Sequence, residues 1–153
     1  MGGLASYYVS SLHPEYFKGA ILMAPALKNQ VGGFLVGMSK FLKKILPEHT
    51  KLIKPIYGKA SKNPTITDFV KEDDYAYKGR INLSTTSFLT KTMDTSPATF
   101  KNYTCPFFII QGGLDKLVNP MVAFELFTSS PLPEKDKDIL FYKNMWHDIW
   151  HEP

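Results

Sequence analysis

Cysteine is almost absent. Cys105 is the only one, so an internal disulfide and a CxxC metal pair are both excluded. A reducing compartment such as the cytoplasm fits that usage. A compact run of Lys and Arg is missing too: 18 basic residues face 14 acidic ones, and the resulting +4 is scattered along the chain. That distribution is no nucleic-acid footprint, so a nucleic-acid partner is not expected. No apolar run approaches the roughly 20 residues that span a bilayer. The first residues lack a basic stretch followed by an apolar core, so a signal peptide is not expected either. No internal repeat or low-complexity tract is present.

What remains is the composition of one globular domain. The chain has 153 residues, 44% hydrophobic, 14% aromatic and 21% charged, enough apolar side chains for a core and a greasy pocket.

Residues 4–12, LASYYVSSL, predict a helix with Leu4, Tyr8 and Leu12 on one face, ended by His13-Pro14 because proline disfavours helical geometry in the residue before it. AILMAP at 20–25 and PFFIIQ at 106–111 are short continuous apolar runs, the pattern of strands buried on both faces in a parallel sheet. ILFYK at 139–143 is a third strand, and NMWHDIWHEP follows it as a helix start. Between the first two strands lie roughly eighty residues, too many for a plain crossover. They include an amphipathic run at 31–46 with Phe34, Met38, Phe41, Leu42 and Ile45 on one face, a short helix capped by Thr67, and a helix at 84–94. Pro120 is placed to open a helix through MVAFELF. Strands alternating with helices indicate a parallel α/β architecture.

Asp115 lies just past the second strand and His147 just past the third. Catalytic groups of parallel sheets gather outside the carboxyl ends of strands. A carboxylate there can fix the tautomer of an imidazole and stabilise its protonated form, as in the orienter-and-base half of a catalytic triad. The residues alone leave a second reading open: an Asp capping a turn and an aromatic-flanked His packed for shape.

Three segments resemble the α/β-hydrolase superfamily, in its monoacylglycerol lipase-like (serine aminopeptidase S33-type) branch. Met1-Gly2-Gly3 is similar to the last three positions of an elbow Gly-x-Ser-Met-Gly-Gly, and ASYYVSSLHPEYFKGAILMAPAL to the helix and strand after it. IIQGGLDKLVNP resembles the family's Asp segment and YKNMWHDIWHEP its His segment. The resemblance implies the C-terminal half of an α/β-hydrolase fold, about three parallel strands with flanking helices, within a partial domain 1–153. A mainly helical cap is implied at about 28–101. It implies that Asp115 and His147 are triad members and that the Met1 amide is an oxyanion donor. The substrate would be an acylglycerol or other apolar ester, with no cofactor and no metal. The nucleophile is expected one position upstream of Met1, because no Gly-x-Ser-x-Gly occurs here and GMSKF lacks the final glycine. On this reading a missing N-terminal half completes the site, and the chain alone is inactive.

Rival motifs explain less. HDIWH at 147–151 is one methylene short of a zinc-protease motif, but Asp is a shorter base. MGGLAS fits a myristoylation signal, yet the elbow accounts for the same glycines and the next twenty residues. The run 31–46 suits a cap helix and, secondarily, a peripheral membrane contact. The competing function class is a non-catalytic lipid-binding or interaction module derived from a hydrolase. It predicts binding by the short chain that is unchanged by Asp115→Asn.

Overall fold

The computed structural model describes residues 1–29, 47, 50–53 and 58–153, with the backbone alone at 52 and 53. The amphipathic run 31–46, the GMSKF segment and His49 lie outside the described residues. In order the elements are α1 (Gly2–Leu12), β1 (Ala20–Met23), β2 (Lys51–Ile53), α2 (Pro64–Glu72), β3 (Ile81–Asn82), α3 (Leu83–Thr99), β4 (Phe107–Gly112), α4 (Val122–Ser129) and β5 (Lys137–Tyr142).

β4 is central in a parallel sheet of order β1-β4-β5. Leu22 stands beside Ile109, and Ile109 beside Ile139. Their side chains point to the face on which α1 and α4 pack, building a core with Leu4, Tyr7, Val122 and Leu126. Lys137 locks α4 to the start of β5: its ammonium donates to the carbonyls of Phe127 (2.8 Å) and Ser130 (2.9 Å), a cation placed at the negative end of the helix.

The opposite face departs from the expectation of strands buried on both sides. Ile21 is 73% exposed, Leu140 40%, Met23 37% and Tyr142 36%. By register these residues line one surface with Phe108 and Ile110. Nothing among the described residues covers it, nor does any described strand pair with the outer edge of β1.

α1 is rotated from the expected face. Leu4, Tyr7 and Ser10 are buried, whereas Leu12 is exposed. Tyr7 decides this, because its ring stacks on Tyr103 at 4.8 Å and meets Phe100 edge-on at 5.7 Å. Aromatic pairs of this kind add about 0.5–1.5 kcal/mol beyond burial. Ser10 tolerates burial because its hydroxyl donates to the Ser6 carbonyl (2.7 Å) and bonds the Tyr103 hydroxyl (2.6 Å).

Among the described residues, the segment between β1 and β4 carries two helices and a feature not expected of a mainly helical stretch, the antiparallel β2–β3 ribbon. α2 starts at Pro64 rather than near Thr67, since Asn63 caps it by accepting the Thr65 amide at 3.1 Å. α3 runs to Thr99, past the expected end at 94, drawing Ser96 and then Phe100 into the core. α4 begins two residues after Pro120, with Met121 at its N-cap. After β5 the chain makes only a short 3-10 turn, Ile149–His151, where a helix start was expected.

Candidate active site

Two loops leave the carboxyl edge of the sheet side by side and are zipped together by backbone hydrogen bonds. After β4, the Gly113 amide donates to the Tyr142 carbonyl at 2.8 Å and the Leu114 amide to the Met145 carbonyl at 3.0 Å. Such close approach dictates the residue type. A Cβ on Gly112 would lie 2.6 Å from the Met145 carbonyl oxygen and still deeper inside that of Trp146, and one on Gly113 would lie 2.8 Å from the Lys143 oxygen. Glycine alone fits these two positions.

The consequence is the meeting of Asp115 and His147. Asp115 Oδ2 lies 2.8 Å from His147 Nδ1. The carboxylate side chain is 0% exposed and the imidazole 27%. Asp115 is fixed by its own turn, because Oδ1 accepts the amides of Leu117 (2.8 Å) and Val118 (3.0 Å). Burial pushes the Asp115 carboxyl up, but the hydrogen bond from His147, the two amides and the charge of the imidazole together hold it below its ordinary 3.8. The group is thus ionised at neutral pH. An ionised carboxylate only accepts, so Nδ1 carries the proton of this hydrogen bond.

Gln111 joins the pair unannounced by any motif. Its side chain is fully buried, and Nε2 donates to the Gly112 carbonyl (3.0 Å) and to Asp115 Oδ2 (3.3 Å). The signal available in the sequence was a lone polar residue inside an apolar strand. Around His147 the loop is braced further: the Lys116 ammonium sits 3.3 Å over the Trp146 ring centroid, and Glu152 accepts the Trp146 amide at 3.0 Å. Trp150 is 74% exposed and does not pack the loop as Trp146 does.

Met1 lies at the same carboxyl end of the sheet. Its carbonyl accepts the Leu4 and Ala5 amides, opening α1. A Cβ on Gly3 would lie 2.9 Å from Pro25 Cα, just beyond the carboxyl end of β1. The histidines of HDIWH face different carboxylates, since His151 Nδ1 is 2.7 Å from Asp148. Among the described residues no group of three His, Cys, Asp or Glu is arranged to hold a metal ion. A depression of about 290 Å³ lies at the other, amino-terminal edge of the strands, lined by Ile21, Phe107 and Lys137, and contains neither member of the pair.

A parallel sheet with a buried Asp after one strand, a paired His after the next and a long insertion after β1 defines part of an α/β-hydrolase fold. Known proteins share this arrangement of the fold. The chain belongs to the family described as serine aminopeptidase, S33, whose model matches residues 1–153. It is 26% identical over 155 residues to the monoglyceride lipase of Mus musculus, an alignment covering 99% of this chain and 50% of that protein. Among solved structures, the monoacylglycerol lipase of Paleococcus ferrophilus superposes with a TM-score of 0.84 at 23% identity, covering 99% of this chain and 58% of that one. A soluble variant of the Saccharomyces cerevisiae monoglyceride lipase, in complex with a substrate analog, superposes with a TM-score of 0.80 at 14% identity, covering 99% and 56%. The chain therefore spans about half the length of the curated relatives it matches. No helix among the described residues is long and apolar enough to cross a membrane.

Proposed function

We propose that this chain is the orienter-and-base half of a carboxylic ester hydrolase of the monoacylglycerol lipase type. The observation that carries the reading is the 2.8 Å contact between a fully buried, ionised Asp115 and the partly exposed His147 at the carboxyl edge of the sheet. A serine preceding Met1 attacks the ester carbonyl, and His147 Nε2 takes its proton. The imidazolium that forms is stabilised by Asp115, which stays ionised. The same proton then passes to the departing alcohol, leaving an acyl-enzyme that water hydrolyses by the reverse transfer. The Met1 amide supplies one hydrogen bond to the oxyanion. The names of the relatives support an acylglycerol as substrate, and the stretch 28–101 acts as the cap over its acyl chain. A membrane contact through 31–46 would deliver such a substrate.

The open sheet surface supports the further reading that another half completes the fold. The exposures of Ile21, Met23, Leu140 and Tyr142 amount to nearly two whole apolar side chains, about 4 kcal/mol of unrealised burial. The deciding experiment compares this chain with one extended upstream through Gly-x-Ser, assayed on a nitrophenyl ester and on a monoacylglycerol. Hydrolysis is expected only in the extended chain, and His147→Ala should lower it by roughly 10⁴-fold or more. An extended chain without activity, or with activity indifferent to His147→Ala, refutes the proposal. Lipid binding by the short chain that survives Asp115→Asn would instead favour the non-catalytic module.

A further inference from the structure

A carboxylate away from solvent is costly unless several donors surround it. Glu152 is such a group, and the reaction above does not use it. Its side chain is 1% exposed. Oε1 accepts the backbone amide of Lys62 at 2.6 Å, and Oε2 accepts that of Trp146 at 3.0 Å. The Lys62 ammonium stands 3.9 Å from Oε2 and donates to the Asn144 carbonyl. One carboxylate thus bridges two segments remote in sequence, the insertion at 60–62 and the loop at 144–147.

The other side of His147 is held from the same place. The Asp148 amide donates to the Ala60 carbonyl at 2.8 Å, and the Ser61 hydroxyl to the His151 carbonyl at 3.3 Å. Both peptide amides flanking His147 are therefore satisfied from outside their own loop. One is bound directly by the insertion, and the other by a carboxylate that the insertion also binds. A shift at 60–62 cannot occur without releasing one of these amides or dragging the loop with it.

We infer that Glu152 is a positioning residue, a carboxylate clip that fastens segment 60–62 of the insertion to the loop carrying His147 and so couples the insertion's position to the alignment of the imidazole. The inference rests on the reading of His147 as the base. Under that reading, movement of the cap during substrate entry is felt at the base. Alignment of the pair is then completed when the insertion is seated.

The test uses Glu152→Gln and Lys62→Met in this chain, read by NMR of the His147 ring proton shared with Asp115 and by amide hydrogen exchange. Glutamine keeps the shape of glutamate but turns an NH₂ toward one of the two amides, so it can accept only one of them. Expected for Glu152→Gln is roughly tenfold faster exchange at whichever of Trp146 and Lys62 loses its acceptor, the equivalent of one lost hydrogen bond. The shared His147 proton should weaken, while β4 amides keep their protection. Lys62→Met, which retains the backbone amide, should show a smaller change of the same kind. In the extended chain, Glu152→Gln should lower kcat and move the pH profile of kcat/KM, which a purely structural role would not do. An unchanged His147 proton and unchanged exchange at both Trp146 and Lys62 in folded Glu152→Gln overturn the inference. Absence of the shared proton from the parent chain refutes the Asp115–His147 pair itself, independently of Glu152.

Discussion

Gly112→Ala tests the geometry most directly. The new methyl would stand 2.6 Å from the Met145 carbonyl oxygen and closer still to that of Trp146. A carbon and a carbonyl oxygen need about 3.3 Å, so the loop must retreat by roughly 1 Å. Neither atom is the flexible tip of a side chain. Both belong to backbone already tied to β4 through the Leu114 amide. Retreat of that size takes the His147–Asp115 contact from 2.8 Å to about 3.8 Å, beyond hydrogen-bonding distance. Loss of a hydrogen bond to a charged group costs about 1.5–3 kcal/mol, and overpacking adds about 1–3 kcal/mol. Urea denaturation followed by tryptophan fluorescence should therefore show a loss of about 2.5–6 kcal/mol, with disappearance of the shared His147 proton. In the extended chain, kcat should fall by roughly 100-fold, as expected for a 1 Å misplacement. Gly2→Ala is the control, because a Cβ there meets nothing within 4 Å and the residue is helical. It should be neutral or stabilising by up to about 1 kcal/mol. A Gly112→Ala chain as stable as Gly2→Ala, with its His147 proton intact, would show that the loops do not pack as described.

Three other outcomes follow from particular contacts. Asp115 has a folded-state pKa below its ordinary 3.8, so its contribution is complete above the unfolded value and is lost as pH falls through the folded one. The stability difference between parent and Asp115→Asn should accordingly be constant near neutral pH and shrink below about pH 4; a difference unchanged down to pH 2 contradicts the assignment. Ser10→Ala removes the partner of the buried Tyr103 hydroxyl, so the denaturation midpoint should drop by the equivalent of about 1–3 kcal/mol, whereas exposed Ser6→Ala should not lower it. Ile21→Lys places a charge on the open sheet face at a site already 73% exposed. Stability of the isolated chain should change by no more than about 0.5 kcal/mol while self-association in sedimentation falls, and a loss of several kcal/mol would mean that this face is covered.

Local signals carried far in the sequence, and relational ones did not. β4 is legible because PFFIIQ is bounded by Pro106 on one side and a glycine pair on the other. Asp115 and His147 are legible because each follows such a strand, and their pairing at 2.8 Å agrees with that placement. The buried face of α1 is not legible because Tyr7 and Tyr8 are equivalent at helical spacing. The choice between them is made by Tyr103, stacked on Tyr7 from far along the chain. Glu152 reads in the sequence as an ordinary surface carboxylate, since nothing local reveals that Lys62 supplies one of its donors. Apolar runs alone report what a strand can bury rather than what is present to bury it, so they do not reveal the open face of the sheet.

Five groups that hold Asp115 and His147 lie away from the open face: the turn amides of Leu117 and Val118, Gln111, the crossing at Gly112 and the Glu152 bridge. None depends on the open face of Ile21 and Leu140, which lies across the sheet from α1 and α4. Geometry at the pair and cohesion of the sheet are therefore separable. About 4 kcal/mol of missing burial is a large part of the 5–15 kcal/mol that stabilises a typical domain. The chain should be weakly stable and prone to associate, yet its folded fraction should already hold the carboxylate and imidazole in register. Addition of a complementary half would then raise stability steeply while leaving the His147–Asp115 proton almost where it was. A large change in that proton on completion of the sheet would mean that the pair is assembled by the partner and not by this chain.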